Sequence, residues 1–129
     1  MGSPLFARAE DKEGHKGHGE LSRKCAEACS DCVRECNESF HHCYGQLAAA
    51  KKEYAKCLHL CVDCAELCGT CASLCARMSP FMAATSEACA KACDACAAEC
   101  ERLSDPEMRE CVEACRKCVK VCREMAKSA

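Results

Sequence analysis

The spacing of the cysteines is the feature that most constrains the fold. The 19 cysteines fall in four stretches, and within each stretch they follow one another at intervals of four and three residues, apart from one interval of seven between Cys36 and Cys43. One α-helical residue advances about 100°, so these steps rotate by roughly +40° and −60° and keep every thiol in one narrow stripe. The pattern predicts four helices that carry, in order, Cys25, Cys29, Cys32, Cys36 and Cys43; Cys57, Cys61, Cys64, Cys68, Cys71 and Cys75; Cys89, Cys93, Cys96 and Cys100; and Cys111, Cys115, Cys118 and Cys122.

The breaks between these stretches carry helix-boundary signals. Ser22 is expected to cap the first helix, and Gly45 to end it in a left-handed conformation. The second helix is expected from about 46 to 77, with 48–54, which lacks Cys, as a connector or overhang. Ser79-Pro80 and Asp105-Pro106 each place a capping residue before a proline, so they are expected to begin the third and fourth helices.

A stripe that repeats every 3.5 residues faces the partner helices of a left-handed bundle. Residues 22–129 are therefore predicted to form an all-α, antiparallel up-down-up-down four-helix bundle with a Cys-lined core. Residues 1–21 are expected to be a separate flexible tail, either an added start or the remnant of a signal peptide, because 10–19 are polar and without periodicity. Hydrophobic residues are 50% with Cys counted and roughly 35% without, so conventional side chains fill little of the interior.

A disulfide scaffold is the usual explanation of such a Cys content, and two observations oppose it. The count is odd, and the cysteines lie in helix-forming sequence instead of loops. Thiols at i and i+4 have Cβ atoms about 5–6 Å apart, against roughly 3.8 Å in an unstrained disulfide. Two such thiolates suit a shared metal, and an all-thiolate environment selects soft ions such as Cu(I). Stacked four-thiolate zinc sites would each bury a charge of −2, whereas one Cu(I) per thiolate leaves the core near neutral.

The four motifs CAEACSDCVREC, CLHLCVDCAELCGTCASLC, CAKACDACAAEC and CVEACRKCVKVC give this chain a resemblance to the bacterial copper storage proteins over roughly residues 22–126. The resemblance implies a four-helix bundle in which each Cys is a copper ligand. It also implies a homo-oligomer, a tetramer, that exchanges copper with chaperones or cuproenzymes. The family has a cytosolic branch rich in Cys and an exported branch, so both a cytoplasmic and a periplasmic location stay open.

Several sequence features argue against functions other than copper storage. The formal charge of −2 gives no basic footprint for nucleic acid, and no run approaches the apolar length of a membrane span, which argues against membrane insertion. Cys25-x-x-x-Cys29-x-x-Cys32 matches an iron–sulfur enzyme signature, but the same string recurs in all four stretches and follows from the heptad. We therefore expect no enzyme. The main alternative is a zinc or mixed-metal thiol buffer of the metallothionein kind.

Four methionines lie at or near continuations of the Cys stripes: Met78, Met82, Met108 and Met125. They are either core fillers or soft ligands at the ends of the bundle. The predicted topology brings Met78, Met82 and Met125 to one end, with Ser86 facing inward, and we expect copper to enter there. Tyr44, Leu103 and Met108 are expected to plug the other end. His41, His42 and His59 fall off the stripe and are expected at the solvated surface.

Overall fold

A computed structural model describes residues 16–128 and shows four α-helices among them. They are α1 (Lys16–Ala48), α2 (Ala55–Ala76), α3 (Met82–Arg102) and α4 (Arg109–Lys127). Single 3₁₀ turns at Lys52–Tyr54 and Pro106–Met108 lead into α2 and α4. The described chain contains no strand, and the predicted all-α fold is confirmed.

The helices form a closed ring of four antiparallel neighbours. α1 packs most extensively against α2, and α3 against α4, so the bundle consists of two helical hairpins. The α2–α3 and α1–α4 contacts join the hairpins and close the ring. The connections are short, as expected for an up-down-up-down bundle.

The start of α1 differs from the expected boundary at Ser22. The helix already begins at Lys16, so 16–21 belong to it, and the expectation of a mobile tail for 1–15 lies outside the described residues. Leu21 packs against the core, and Ser22 is buried, with its hydroxyl donating to the Met82 sulfur at 3.4 Å. Burial of this turn against the end of the bundle extends the helix beyond the Cys stripe, and Ser22 is no cap.

The helix ends use left-handed residues other than glycine. The expected stop at Gly45 was wrong: α1 continues to Ala48, and Ala50 takes the left-handed conformation, with φ of 69°. The Lys51 amide then donates to the Gln46 carbonyl at 3.0 Å, closing a Schellman turn. Met78 (φ 51°) and Ser104 (φ 52°) adopt the same conformation after α2 and α3.

The two Xaa-Pro signals mark the beginnings of α3 and α4 with different precision. Asp105 accepts a hydrogen bond from the Glu107 amide at 3.0 Å, with Pro106 in the first turn, which confirms this cap. Ser79 likewise accepts from the Phe81 amide at 3.0 Å, but it closes a turn ahead of the helix, which begins at Met82.

The segment Lys52–Ala76 meets the length and hydropathy criteria of a membrane-spanning helix, with a mean hydropathy of 1.3. It contains six cysteines, all of which point into the bundle core. Core helices of soluble proteins meet the same criteria, so this property is weak evidence for a membrane span.

Candidate metal centre

The core of the bundle is a column of sulfur. All 19 cysteines are free thiols, and each is at most 1% exposed. The heptad spacing places them there, because every thiol lies on the helix face that turns towards the bundle axis. The few other side chains buried with them are mainly Ala28, Ala90, Ala97, Val119 and three methionines.

The sulfur atoms are close both within and between helices. Six of the nine cysteine pairs at i and i+4 have sulfur atoms 3.8–4.0 Å apart, as in Cys32–Cys36 at 3.9 Å and Cys118–Cys122 at 3.8 Å. Several pairs between helices are closer still. The Sγ–Sγ distance is 3.2 Å for Cys57–Cys100 and 3.3 Å for Cys68–Cys89. A metal ion anywhere along the column would therefore find ligands from more than one helix.

The thiols assemble into groups of four whose sulfur atoms all lie within 4.8 Å of one another. Neighbouring groups share members, so the groups form a continuous series along the axis. The groups include Cys25/Cys29/Cys71/Cys122, Cys29/Cys68/Cys89/Cys118, Cys32/Cys64/Cys68/Cys93, Cys32/Cys36/Cys64/Cys115 and Cys36/Cys96/Cys111/Cys115. Such a series can hold many ions instead of one.

The core contains no fixed positive charge that could balance thiolates. Among residues 19–128 no Lys or Arg is buried, and the one buried acid, Glu99, pairs with Arg102 at 2.6 Å. Hydrogen bonds among the thiols shift their pKa values in both directions: the bond to Cys118, together with burial, raises the pKa of the Cys29 thiol, whereas the bond to Cys122 lowers that of Cys25. Hydrogen bonding to Cys57, with burial, raises the pKa of Cys43 to about 12. Burial without a nearby cation disfavours thiolates in the metal-free core, so a bound metal must supply the charge that replaces the thiol protons.

Charge, and not distance, distinguishes the candidate metals. A tetrahedral zinc with Zn–S bonds of about 2.3 Å needs sulfur atoms about 3.8 Å apart, which this column also offers. Each zinc site of four thiolates would, however, carry −2 with no buried cation nearby. A monovalent soft ion for each thiolate leaves the column neutral.

The predicted methionines occupy both ends of the column. Met82 and Met125 are 4% and 1% exposed at one end, and Met108 is fully buried at the other. Met78 is half-buried against the core. Ser86 continues the α3 stripe, as expected, and its hydroxyl lies 3.4 Å from the Cys71 sulfur. The methionines therefore lie at the ends of the bundle.

The opposite end is closed by a polar cluster that the sequence did not reveal. Asp105 accepts hydrogen bonds from the Tyr54 hydroxyl at 2.6 Å and from the His42 ring at 2.8 Å. These bonds, that from Tyr54 foremost, hold the pKa of Asp105 at about 2. The expected plug residue Tyr44 is instead 60% exposed and stacks on Phe40, while Tyr54 takes the buried position. His42 is half-buried in this cluster and not a solvated surface residue; the expected positions of both residues were wrong.

Comparison with known proteins agrees with this architecture. The profile of the copper storage proteins matches residues 18–127, nearly the whole chain. The chain belongs to this family. A search of curated protein sequences finds no match.

Members of the family with solved structures superpose closely. The Cu(I)-bound copper storage protein BsCsp3 is 33% identical, with a TM-score of 0.76, over 82% of this chain and 98% of that protein. The metal-free protein from Bacillus subtilis is 34% identical, with a TM-score of 0.72, over 81% and 98%. A cytosolic copper storage protein from Streptomyces lividans, studied with five coppers, is 30% identical, with a TM-score of 0.79, over 87% and 97%.

Proposed function

We propose that this family member stores many Cu(I) ions along its bundle core, with the 19 cysteines as ligands and a loading of about one copper per Cys. The overlapping groups of thiols in a core without a buried Lys or Arg carry this proposal. Each Cu(I) replaces one thiol proton, so the loaded column stays near neutral at any degree of filling. Storage of this kind needs no enzymatic reaction, and we assign none.

Relatives with metal in place support the proposal. One solved relative is Cu(I)-bound, and the protein from Streptomyces lividans has been loaded with five coppers and with 10 copper equivalents. The same chemistry suits this chain because its thiols lie close together, with sulfur atoms of different helices as little as 3.2 and 3.3 Å apart.

Competition between Cu(I) and Zn(II) for the reduced protein tests the proposal against a zinc or mixed-metal buffer. The protein is offered both metals at equal excess, desalted without oxygen, and analysed for each metal by mass spectrometry. We expect many copper ions per chain and almost no zinc. Retention of several zinc ions in the presence of Cu(I) would contradict the charge argument and with it the proposed function.

We further propose a cytosolic location, which the free thiols and the cytosolic relative support. From the family resemblance we also propose that the protein forms a homo-oligomer and exchanges copper with chaperones or cuproenzymes. Exposed aromatic side chains on the helix exterior, Phe40 and Tyr44 on α1 and Phe81 before α3, are consistent with a subunit contact. Native mass spectrometry of the purified protein measures the subunit number directly.

We also propose that the end of the bundle with Met78, Met82 and Met125 is the one through which copper enters. Soft thioethers lie there beside the first thiols, with Ser86 in place of a further Cys on α3. The other end is closed by Met108 and by the hydrogen bonds of Asp105.

A further inference from the structure

A groove between α1 and α2 reaches the thiol column from the side. It has a volume of about 690 Å³ and lies near the start of α1 and the end of α2. Ser22 and Ala26 line it from α1, Ala72 and Cys75 from α2, and Met78 from the turn that follows α2. Cys75 therefore borders both the outer groove and the core.

At this same end, two methionine side chains cover the thiols along the bundle axis. Met82 and Met125 are packed there with 4% and 1% of their surface exposed. The Ser22 hydroxyl donates to the Met82 sulfur at 3.4 Å, and the Ser128 hydroxyl lies 3.5 Å from the Met125 sulfur. An ion that approached along the axis would meet these side chains before any thiol, whereas in the groove Cys75, although only 1% exposed, is itself one of the lining residues.

The turn after α2 places the Met78 side chain in the lining of this groove. Met78 is the left-handed residue of a Schellman turn, in which the Ser79 amide donates to the Leu74 carbonyl at 2.9 Å. Glycine is the usual residue at that position, and another residue costs about 1 kcal/mol. Ala50 and Ser104 take the same conformation after α1 and α3, so the strain by itself does not mark this site, and what Met78 contributes is a thioether beside Cys75.

Thiols continue from Cys75 into the core without a gap. The Cys75 and Cys71 sulfur atoms are 3.9 Å apart. Cys71 in turn belongs to the group with Cys25, Cys29 and Cys122, which shares Cys29 with the next group. An ion received at Cys75 can therefore pass from thiolate to thiolate along the whole series.

We propose that Cys75 is the first thiol to receive Cu(I). It takes the ion from a complex of Cu(I) with a small peptide thiol bound in this groove, and Met78 serves as a transient second ligand. The inference rests on the proposed storage function. The lining carries both signs of charge, Arg23 on one hand and Glu27 and Asp31 on the other, which suits a zwitterionic carrier. One copper–sulfur bond of the carrier complex breaks as the Cys75–copper bond forms. The Cys75 proton leaves with the released carrier thiol, and no electron is transferred.

A variant that fills the groove without touching a thiol tests the proposal. Ala26→Phe places a ring in the groove, and Ala92→Phe is the matched control, because Ala92 lines an outer groove with Leu60, Asp63, Glu66 and Leu67 in which no Cys takes part. Transfer from the Cu(I)–glutathione complex is followed by stopped-flow absorbance. We expect Ala26→Phe to slow uptake on the order of tenfold at unchanged final capacity, and Ala92→Phe to load like the parent. Equal rates for all three proteins would overturn the proposal.

Labelling of the unchanged protein gives a test that needs neither variant nor copper. Limiting iodoacetamide is added to the reduced metal-free chain, and the first alkylated cysteine is identified by peptide mapping. We expect Cys75 to react first. Cys100 is the internal comparison, because it also borders an outer groove, of about 390 Å³, at the opposite end. Earlier labelling of Cys100 or of any other thiol would overturn the assignment. Failure of storage itself would appear differently, as absence of retained copper in the parent protein.

Discussion

Replacement of Cys93 and Cys96 by serine is the most direct test of whether copper is stored in graded amounts. The Cys93 sulfur lies 3.4 Å from both Cys64 and Cys68, and the Cys96 sulfur lies 3.8 Å from Cys61. If each thiolate neutralises one ion, loss of two of the 19 thiols lowers the capacity from about 19 to about 17 ions. The remaining thiols still form overlapping groups on either side of the altered layer.

The same substitution has a calculable effect on the metal-free fold. Each buried serine hydroxyl is left among sulfur atoms that are weak hydrogen-bond partners, which costs about 1–3 kcal/mol for each group. Replacement of the same two cysteines by alanine removes the thiols without adding a buried hydroxyl. The alanine variant should therefore lose the same two ions, and comparison of the two variants separates ligand loss from polarity.

Capacity is measured by titration of the reduced protein with Cu(I) against a chromophoric chelator, and stability by urea unfolding of the metal-free form. A complete loss of binding would show one cooperative cluster instead of graded storage. An unchanged capacity in both variants would show that Cys93 and Cys96 are not ligands. Either result would refute the reasoning that one thiolate balances one copper ion.

Three further predictions follow from the structure. The reduced metal-free protein should give a strongly helical circular dichroism spectrum, since its helix-forming sequence and Asp105 cap need no metal, and a random-coil spectrum would contradict this. Asp105→Asn should lower the free energy of unfolding at pH 7 by about 2 kcal/mol, because the pKa of Asp105 falls from 3.8 to about 2. The stabilisation from the Asp105 carboxylate is present above pH 3.8 and is lost as the pH falls through 2. In urea unfolding, the difference in free energy between parent and variant should therefore shrink below pH 3.8. A difference that stays constant with pH would refute this prediction. Met78, Met82 and Met125 replaced together by Leu should leave stability nearly unchanged but slow chelator-monitored Cu(I) uptake, and unchanged kinetics would leave them as packing residues.

The fold and the thiol column could be predicted from sequence because one periodic signal specifies both. A stripe of period 3.5 determines which face of each helix is buried, so the inward position of residues such as Cys93 follows without a structure. The helix ends could not be predicted equally well. Gly45 looked like a stop, but tertiary packing carries α1 past it, and Ala50 takes the left-handed position instead.

The polar closure of one end was hidden from sequence for a related reason. His42, Tyr54 and Asp105 come from three separate segments, and no local spacing connects them. Their meeting depends on how the ends of α1 and α3 come together with the start of α2, which periodicity does not specify. The choice between Tyr44 and Tyr54 as the buried aromatic residue depends on the same geometry.

The sharing of cysteines between neighbouring groups has a consequence for how the column fills. Because Cys29, Cys68 and Cys32 each belong to two groups, an ion bound in one group changes the ligands left for the next. The column therefore behaves as a one-dimensional lattice with coupling between adjacent positions. In a partly filled molecule the energy of adding one more ion is therefore expected to depend on whether the neighbouring position is already occupied.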